Sequence, residues 1–352
     1  MGLKEFFKNL AGSPAVLPHL IRIPNNNTDD PEGLAGFFEP RQHYFTVRIN
    51  EMYLSDRRKW FKEIEPMVVS LCTYIYGEQE IDNPFIVGRS LIEDKIKIEN
   101  VPEGMIFKDT RIAGIHPYSG GRLIVSIVLC QYASKDYLAN TLEFIEKIAG
   151  VFSENITTLI GNYLKIANVV IGGIDKLFDS KAVNPLFGFR QEFDPDANDH
   201  FSPGYFVMID KSTENWNPDY FFVKENRLFY GKDVVAAKPF RQDEYVLYSL
   251  TRSESRSDLE LLPVRQSYNK IRDELKVSEV SEDLKTKIKG MLRVLNIEMQ
   301  QSPDLTMPQA QKLIGQYIDE VGKSIALKFN WGAAIKKQPD FWDNMDSKIK
   351  DI

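Results

Sequence analysis

Cysteine is scarce: Cys72 and Cys130 are the only two among 352 residues. That excludes a disulfide framework. With no CxxC pair and no Cys/His cluster, it also argues against a structural zinc site. Each cysteine lies in an apolar, strand-like run, where a thiol serves as a small hydrophobe. Histidine is sparse as well, with four in the chain. Positive charge is in deficit, since 44 Lys and Arg against 50 Asp and Glu leave a net charge of −6. Gripping a nucleic-acid backbone takes a basic face. The densest basic clusters, Arg57-Arg58-Lys59 and Lys336-Lys337, are short and read as solvated surface. Direct nucleic-acid binding is therefore not expected.

Long uncharged apolar runs are missing too. The most apolar helical stretch, Ile156 to Phe178, is interrupted by Asn162, Lys165, Asn168 and Asp175, so no transmembrane span is expected. The opening residues, MGLKEFFKNLAG, hold too short an apolar stretch for a secretory signal, with Glu5 inside it. Gly2 starts a myristoylation pattern that fails at Phe6, where Ser or Thr is required. A cytoplasmic location is the expectation. The catalytic signatures GxxxxGK[ST] and GxSxG are absent, and no glycine-rich nucleotide loop or other cofactor motif replaces them. No cofactor is expected.

What is present is an ordinary globular composition, 43% hydrophobic and 27% charged, which argues against disorder over the whole length. Aromatic residues make up 12%, with 22 Phe and 15 Tyr. Aromatics fill cores and anchor interfaces, which favours a protein that binds other proteins.

Periodicity divides the chain. Residues 1–40 read as an arm, with Leu3, Phe6, Phe7 and Leu10 at helical spacing, prolines at 14, 18 and 24, and a polar loop, NNNTDDPEG, from Asn25. Residues 41–133 read as an antiparallel, β-sandwich-like domain. Alternation marks strands at Phe45–Ile49 and Met67–Tyr76, with a short one at Lys95–Ile98. Leu123 to Cys130 (LIVSIVLC) is apolar on both faces, as a central strand is. Residues 134–180 carry apolar residues at three- and four-residue steps and read as a helical connector, either a rod or a hairpin broken at Gly150 or Gly161. Residues 181–264 read as a second β-rich domain, with strands at Tyr205–Ile209 and Tyr245–Leu250. Tyr220–Val223 and Arg227–Tyr230 flank a short polar joint, as hairpin strands do. Residues 265–352 read as a C-terminal helical region and tail. Val280, Leu284, Ile288, Leu292, Leu295 and Met299 form one stripe, and Pro308 opens the next helix. The class is α+β.

Several constellations are candidates for chemistry. Gly114 to Arg122 (GIHPYSGGR) holds His116, Ser119 and paired glycines before the strongest strand; its backbone N–H groups suit an anion, but a tight turn accounts for it better. Cys72 with His116 makes a nucleophile–base pair only if the thiol is exposed. Asp194, Asp196 and Asp199 alternate as at the start of a calcium loop, without the glycine and glutamate that an EF-hand requires. Thr251 to Pro263 (TRSESRSDLELLP) mixes charges beside a strand, as a substrate clamp or as surface ion pairs. At the termini, Phe6 and Phe7, and Phe341, Trp342 and Met345, are aromatic and apolar anchors on otherwise polar ends. They suit packing on the protein's own body, a partner pocket, or peripheral membrane contact.

These features suggest a non-enzymatic structural or adaptor subunit bound to protein partners in a larger assembly. The alternatives are a hydrolase built from scattered residues and a calcium- or lipid-responsive binding module. No residue fixes the setting; the expectation is an accessory protein of a bacterial multi-gene system of the phage-defence kind.

Overall fold

The computed structural model describes residues 18–53, 64–88, 110–133, 183–195, 201–210, 216–277 and 281–330. The helical connector at 134–180 and the short strand at Lys95–Ile98 lie outside these residues. The chain divides into two compact units. The first comprises Met1–Glu39, Phe45–Ile115 and Ser119–Arg252, and the second Pro40–Tyr44, His116–Tyr118 and Ser253–Ile352.

The strands are β1 (His19–Ile23), β2 (Tyr44–Tyr53), β3 (Ile64–Tyr76), β4 (Gln79–Gly88), β5 (Thr110–Pro117) and β6 (Leu123–Ala133). They continue with β7 (Val183–Phe193), β8 (Gly204–Ile209), β9 (Phe221–Lys224), β10 (Arg227–Tyr230), β11 (Lys238–Pro239) and β12 (Tyr245–Ser253). They form a five-stranded sheet ordered β1-β8-β12-β2-β5, a four-stranded sheet ordered β4-β3-β6-β7, and a three-stranded sheet ordered β11-β10-β9.

The α+β class holds, with antiparallel sheets and helices, but the β-rich stretches expected as separate domains share both large sheets. β2 and β5 lie in one sheet with β8 and β12, and β7 completes the sheet of β3, β4 and β6. The reason is physical. β6 is buried from Leu123 to Cys130, and a strand apolar on both faces needs a paired neighbour on each side. Its antiparallel partners are β3, with Cys72 opposite Val125, and β7, with Phe189 opposite Ile127. Each fully buried branched side chain in such a strand contributes roughly 2 kcal/mol.

Edge positions explain the less regular strands. β4 carries Pro84 and β7 carries Pro185, and both stand at the ends of their sheet; a proline N–H is not missed there. β1, inside the stretch expected to be an arm, is the edge of the five-stranded sheet and pairs antiparallel with β8. Aromatic side chains touch between the two large sheets. Phe45 meets Tyr74 edge-on at 5.1 Å, Phe189 lies 5.5 Å from Tyr248, and Phe193 meets Phe206 at 5.4 Å.

β9 and β10 form the hairpin expected from sequence. Their turn residues Glu225 and Asn226 both take left-handed backbone, with φ of 50° and 62°, matching the twist of a two-residue hairpin. Between this hairpin and the five-stranded sheet lies Glu51, whose side chain is 1% exposed. Its carboxylate accepts from the Leu228 N–H at 2.8 Å and from Arg241 Nη2 at 2.8 Å, with Arg227 Nε at 3.6 Å. The Arg241 guanidinium also lies over the Tyr53 ring at 4.8 Å. A buried carboxylate persists only when held this way.

The second unit is built on α1 (Pro263–Val277), α2 (Glu282–Gln301) and α3 (Met307–Asn330). Ser281 caps α2, accepting from the Leu284 N–H at 3.1 Å. The apolar stripe of α2 packs against Tyr268, Ile271 and Leu275 of α1 and Leu313, Tyr317 and Val321 of α3. The Tyr268 and Tyr317 rings stack at 3.6 Å. Arg256, read from sequence as part of a charged surface segment, is buried. Its guanidinium donates to both oxygens of Asp258, at 2.6 and 2.9 Å, and to the Asp304 carbonyl at 3.0 Å. Gln309 bonds the Arg256 backbone at both its N–H and its carbonyl. The segment before α1 is thus fastened to the α2–α3 junction.

Removing the Glu51 carboxylate leaves the buried Leu228 N–H without its acceptor and takes the counter-charge from Arg241 and Arg227. Glu51→Ala is expected to lower unfolding free energy by about 3 kcal/mol, with Glu51→Gln losing less because it still accepts from Leu228. Urea melts of both variants check this; equal, small losses would contradict it.

Candidate functional site

The first unit carries an open cleft of about 710 Å³, lined by residues of β1, β7 and β8 and by the segment after β1. That segment includes the polar loop read from sequence at Asn25–Gly33, whose side chains hold it in place, and the residues Leu34–Phe37 that follow it. Asn25 Nδ2 donates to the Leu34 carbonyl at 3.0 Å, and Asp30 accepts from the Gly33 N–H at 2.9 Å. Asn27 Nδ2 donates to the carbonyls of Asp219 and Phe221, each at 2.9 Å. Polar residues with short side chains suit such local bonding.

Two exposed apolar side chains mark the cleft, Leu20 at 38% and Phe37 at 51%. Leu20 and Arg22 alternate with buried Ile21 and Ile23, so they share the outer face of β1. Arg22 Nη2 donates to Ser202 Oγ at 2.8 Å and to the Pro203 carbonyl at 3.1 Å, and its guanidinium sits 5.8 Å from the Phe206 ring centre. A second guanidinium backs the wall at Gly36 and Phe37, where Arg252 Nη1 donates to the Phe37 carbonyl at 3.0 Å. Gly36 has φ of 78°, and a Cβ there would stand 2.9 Å from Arg252 Nη1. The left-handed backbone calls for glycine. Among the described residues, no carboxylate pairs with Arg22 or Arg252; their acceptors are neutral.

Glu192 and Asp194 supply negative charge to the lining. Glu192 is taken up by Arg122 at 3.2 Å and Arg190 at 3.3 Å. Gln191 accepts from the Tyr248 hydroxyl, whose ionisation burial opposes by pushing it well above the ordinary phenol range.

Of the three acidic-loop residues read as metal candidates, Asp194 lies on the cleft wall, while Asp196 and Asp199 lie outside the described residues. Among the described residues, no cluster of three or more His, Cys, Asp or Glu side chains is placed to hold a metal ion. The terminal anchors Phe6, Phe7, Phe341, Trp342 and Met345 also lie outside the described residues. His116 is buried in the second unit. Gly120 and Gly121, with φ of 95° and 71°, make the tight turn between β5 and β6.

Cys72 is fully buried in β3, and burial pushes its thiol up to about 12. Cys130, in β6, is raised for the same reason. Burial thus denies Cys72 the exposure and charge that a nucleophile–base pair with His116 would require, and the thiol serves as a small hydrophobe of the core. Sequence reasoning missed Leu20, Arg22 and Phe37, while Arg252 falls in the charged segment Thr251–Pro263 that it did single out. The local signal was the two-residue alternation in His19–Ile23, too short to stand out beside Pro18 and Pro24.

No protein-family model matches this chain, and no curated protein matches it. Among the described residues, no helix is long and apolar enough to cross a membrane.

Both thiols are expected to resist a disulfide reagent in the native protein and to react on denaturation. As pH rises from the ordinary thiol value of 9.0 towards about 12, the unfolded chain ionises before Cys72 does. Native stability then falls across that interval. Thiol titration with and without denaturant, and urea midpoints against pH, measure both; a rapidly labelled native thiol would contradict the burial.

Proposed function

We propose that the protein is a non-enzymatic adaptor or structural subunit of a multi-protein assembly, with its two large sheets forming a sandwich-like body that carries a recognition cleft. The observation that supports this most is the make-up of the cleft. It presents apolar Leu20 and Phe37 with the guanidinium of Arg22, which is held by neutral acceptors. Aromatic anchors flanked by arginine are the groups that dominate protein interfaces. The hydrolase alternative loses its Cys72 version, because that thiol stays protonated in the core. The calcium alternative gains little from Glu192, whose carboxylate is already occupied by two arginines.

The terminal anchors Phe6, Phe7, Phe341, Trp342 and Met345 remain proposed partner contacts on their residue types alone. The adaptor reading predicts that the protein from its native source runs in an assembly well above its own 40.5 kDa, with a stoichiometric partner on crosslinking. Light scattering coupled to size exclusion tests this; an isolated monomer at native concentration would overturn it.

A further inference from the structure

We infer that the cleft of the first unit binds an extended acidic peptide segment of a partner protein, with an apolar side chain against Leu20 and Phe37 and a carboxylate two residues away on Arg22. The inference rests on the adaptor reading and names the partner's chemistry.

The spacing comes from β1. Leu20 and Arg22 lie on one exposed face of an edge strand, so they stand about 6–7 Å apart. A peptide lying extended beside that face repeats the same step, so residues i and i+2 reach both groups. The charge at the cleft comes from Arg22, with Arg252 behind the Gly36–Phe37 wall. Arg22 is oriented by Ser202, Pro203 and the Phe206 face, and Arg252 by the Phe37 carbonyl. None of these partners neutralises a guanidinium, and a ligand carboxylate does so with charge-assisted hydrogen bonds.

Other anionic partners fit less well. A nucleic-acid strand or an anionic bilayer is held by many cations spread over a surface. Here the described lining of the cleft holds a single cation, Arg22, and the whole chain carries a net charge of −6. Glu192 does not cancel the site, since Arg122 and Arg190 engage it.

The test uses the full chain and pools of short fluorescein-labelled peptides with randomised flanks. One pool carries Leu-x-Glu or Phe-x-Glu, a matched pool carries Gln for Glu, and phosphatidylserine vesicles serve as a third probe. The acidic pool is expected to bind, and to bind more weakly as salt is raised. Both Glu→Gln in the peptide and Arg22→Gln in the protein are expected to weaken binding about tenfold or more. If Arg22→Gln lowers the melting temperature, Leu20→Glu on the exposed face provides the same test by repelling the peptide acid. Equal binding of the neutral pool, unchanged affinity in folded Arg22→Gln or Leu20→Glu, or binding to vesicles alone overturns the inference. The adaptor reading fails separately: a native assembly that persists with Arg22→Gln keeps the adaptor and removes this cleft as its contact, whereas a native monomer removes the adaptor.

Discussion

Strand pairing across long stretches of chain is the constraint on which the first unit depends. β6 has no apolar solvent to face, so β3 and β7 must both pair with it. In the other large sheet β12 stands between β2 and β8. Each sheet therefore closes only when residues near 50–130 meet residues near 185–250. Unmade backbone hydrogen bonds in a buried strand cost far more than the loop closure needed to make them. The aromatic contacts between the sheets, such as Phe189 on Tyr248, then fill a core that neither stretch of sequence could complete alone.

Buried charge follows from that arrangement. Glu51 lies where the small hairpin sheet meets the five-stranded sheet, and its oxygens are occupied by a backbone N–H and an arginine. Arg256 plays a comparable part within the second unit, tying the segment before α1 to the α2–α3 junction. Each is a fully partnered group whose loss leaves another polar group stranded, so each fixes geometry as well as adding stability. Arg22 and Arg252 differ in kind. Arg22 lines the cleft and Arg252 lies behind its Gly36–Phe37 wall, and among the described residues their acceptors are neutral.

Elements with strong local patterns were legible in the sequence. LIVSIVLC had to be a central strand, the Lys224-Glu225-Asn226 joint marked a hairpin, and the stripes from Leu284 and after Pro308 became α2 and α3. The edge strands were hidden by the very features an edge tolerates: Pro84 in β4, Pro185 in β7, and flanking prolines around β1. The partition into two β domains misled because period-two patterns say which face of a strand is buried and nothing about which strand lies beside it. The cleft was hidden for the same reason. Arg22 and Ser202 are 180 positions apart, and Leu20 or Phe37 alone is an ordinary hydrophobic residue until the fold leaves it exposed beside a guanidinium. Asp194 was singled out for alternating carboxylates, and it does lie on the cleft wall; alternation indicated a polar loop without indicating its neighbours.

The most direct test of the shared-sheet account is the fragment 41–133 made on its own, examined by amide proton dispersion and circular dichroism. With β6 lacking β7 and β2 lacking β12, the account predicts no cooperative fold, and recovery of dispersed amides when the fragment 183–253 is supplied. A fragment 41–133 that folds cooperatively alone, with Cys72 and Cys130 both protected from thiol reagent, would contradict it.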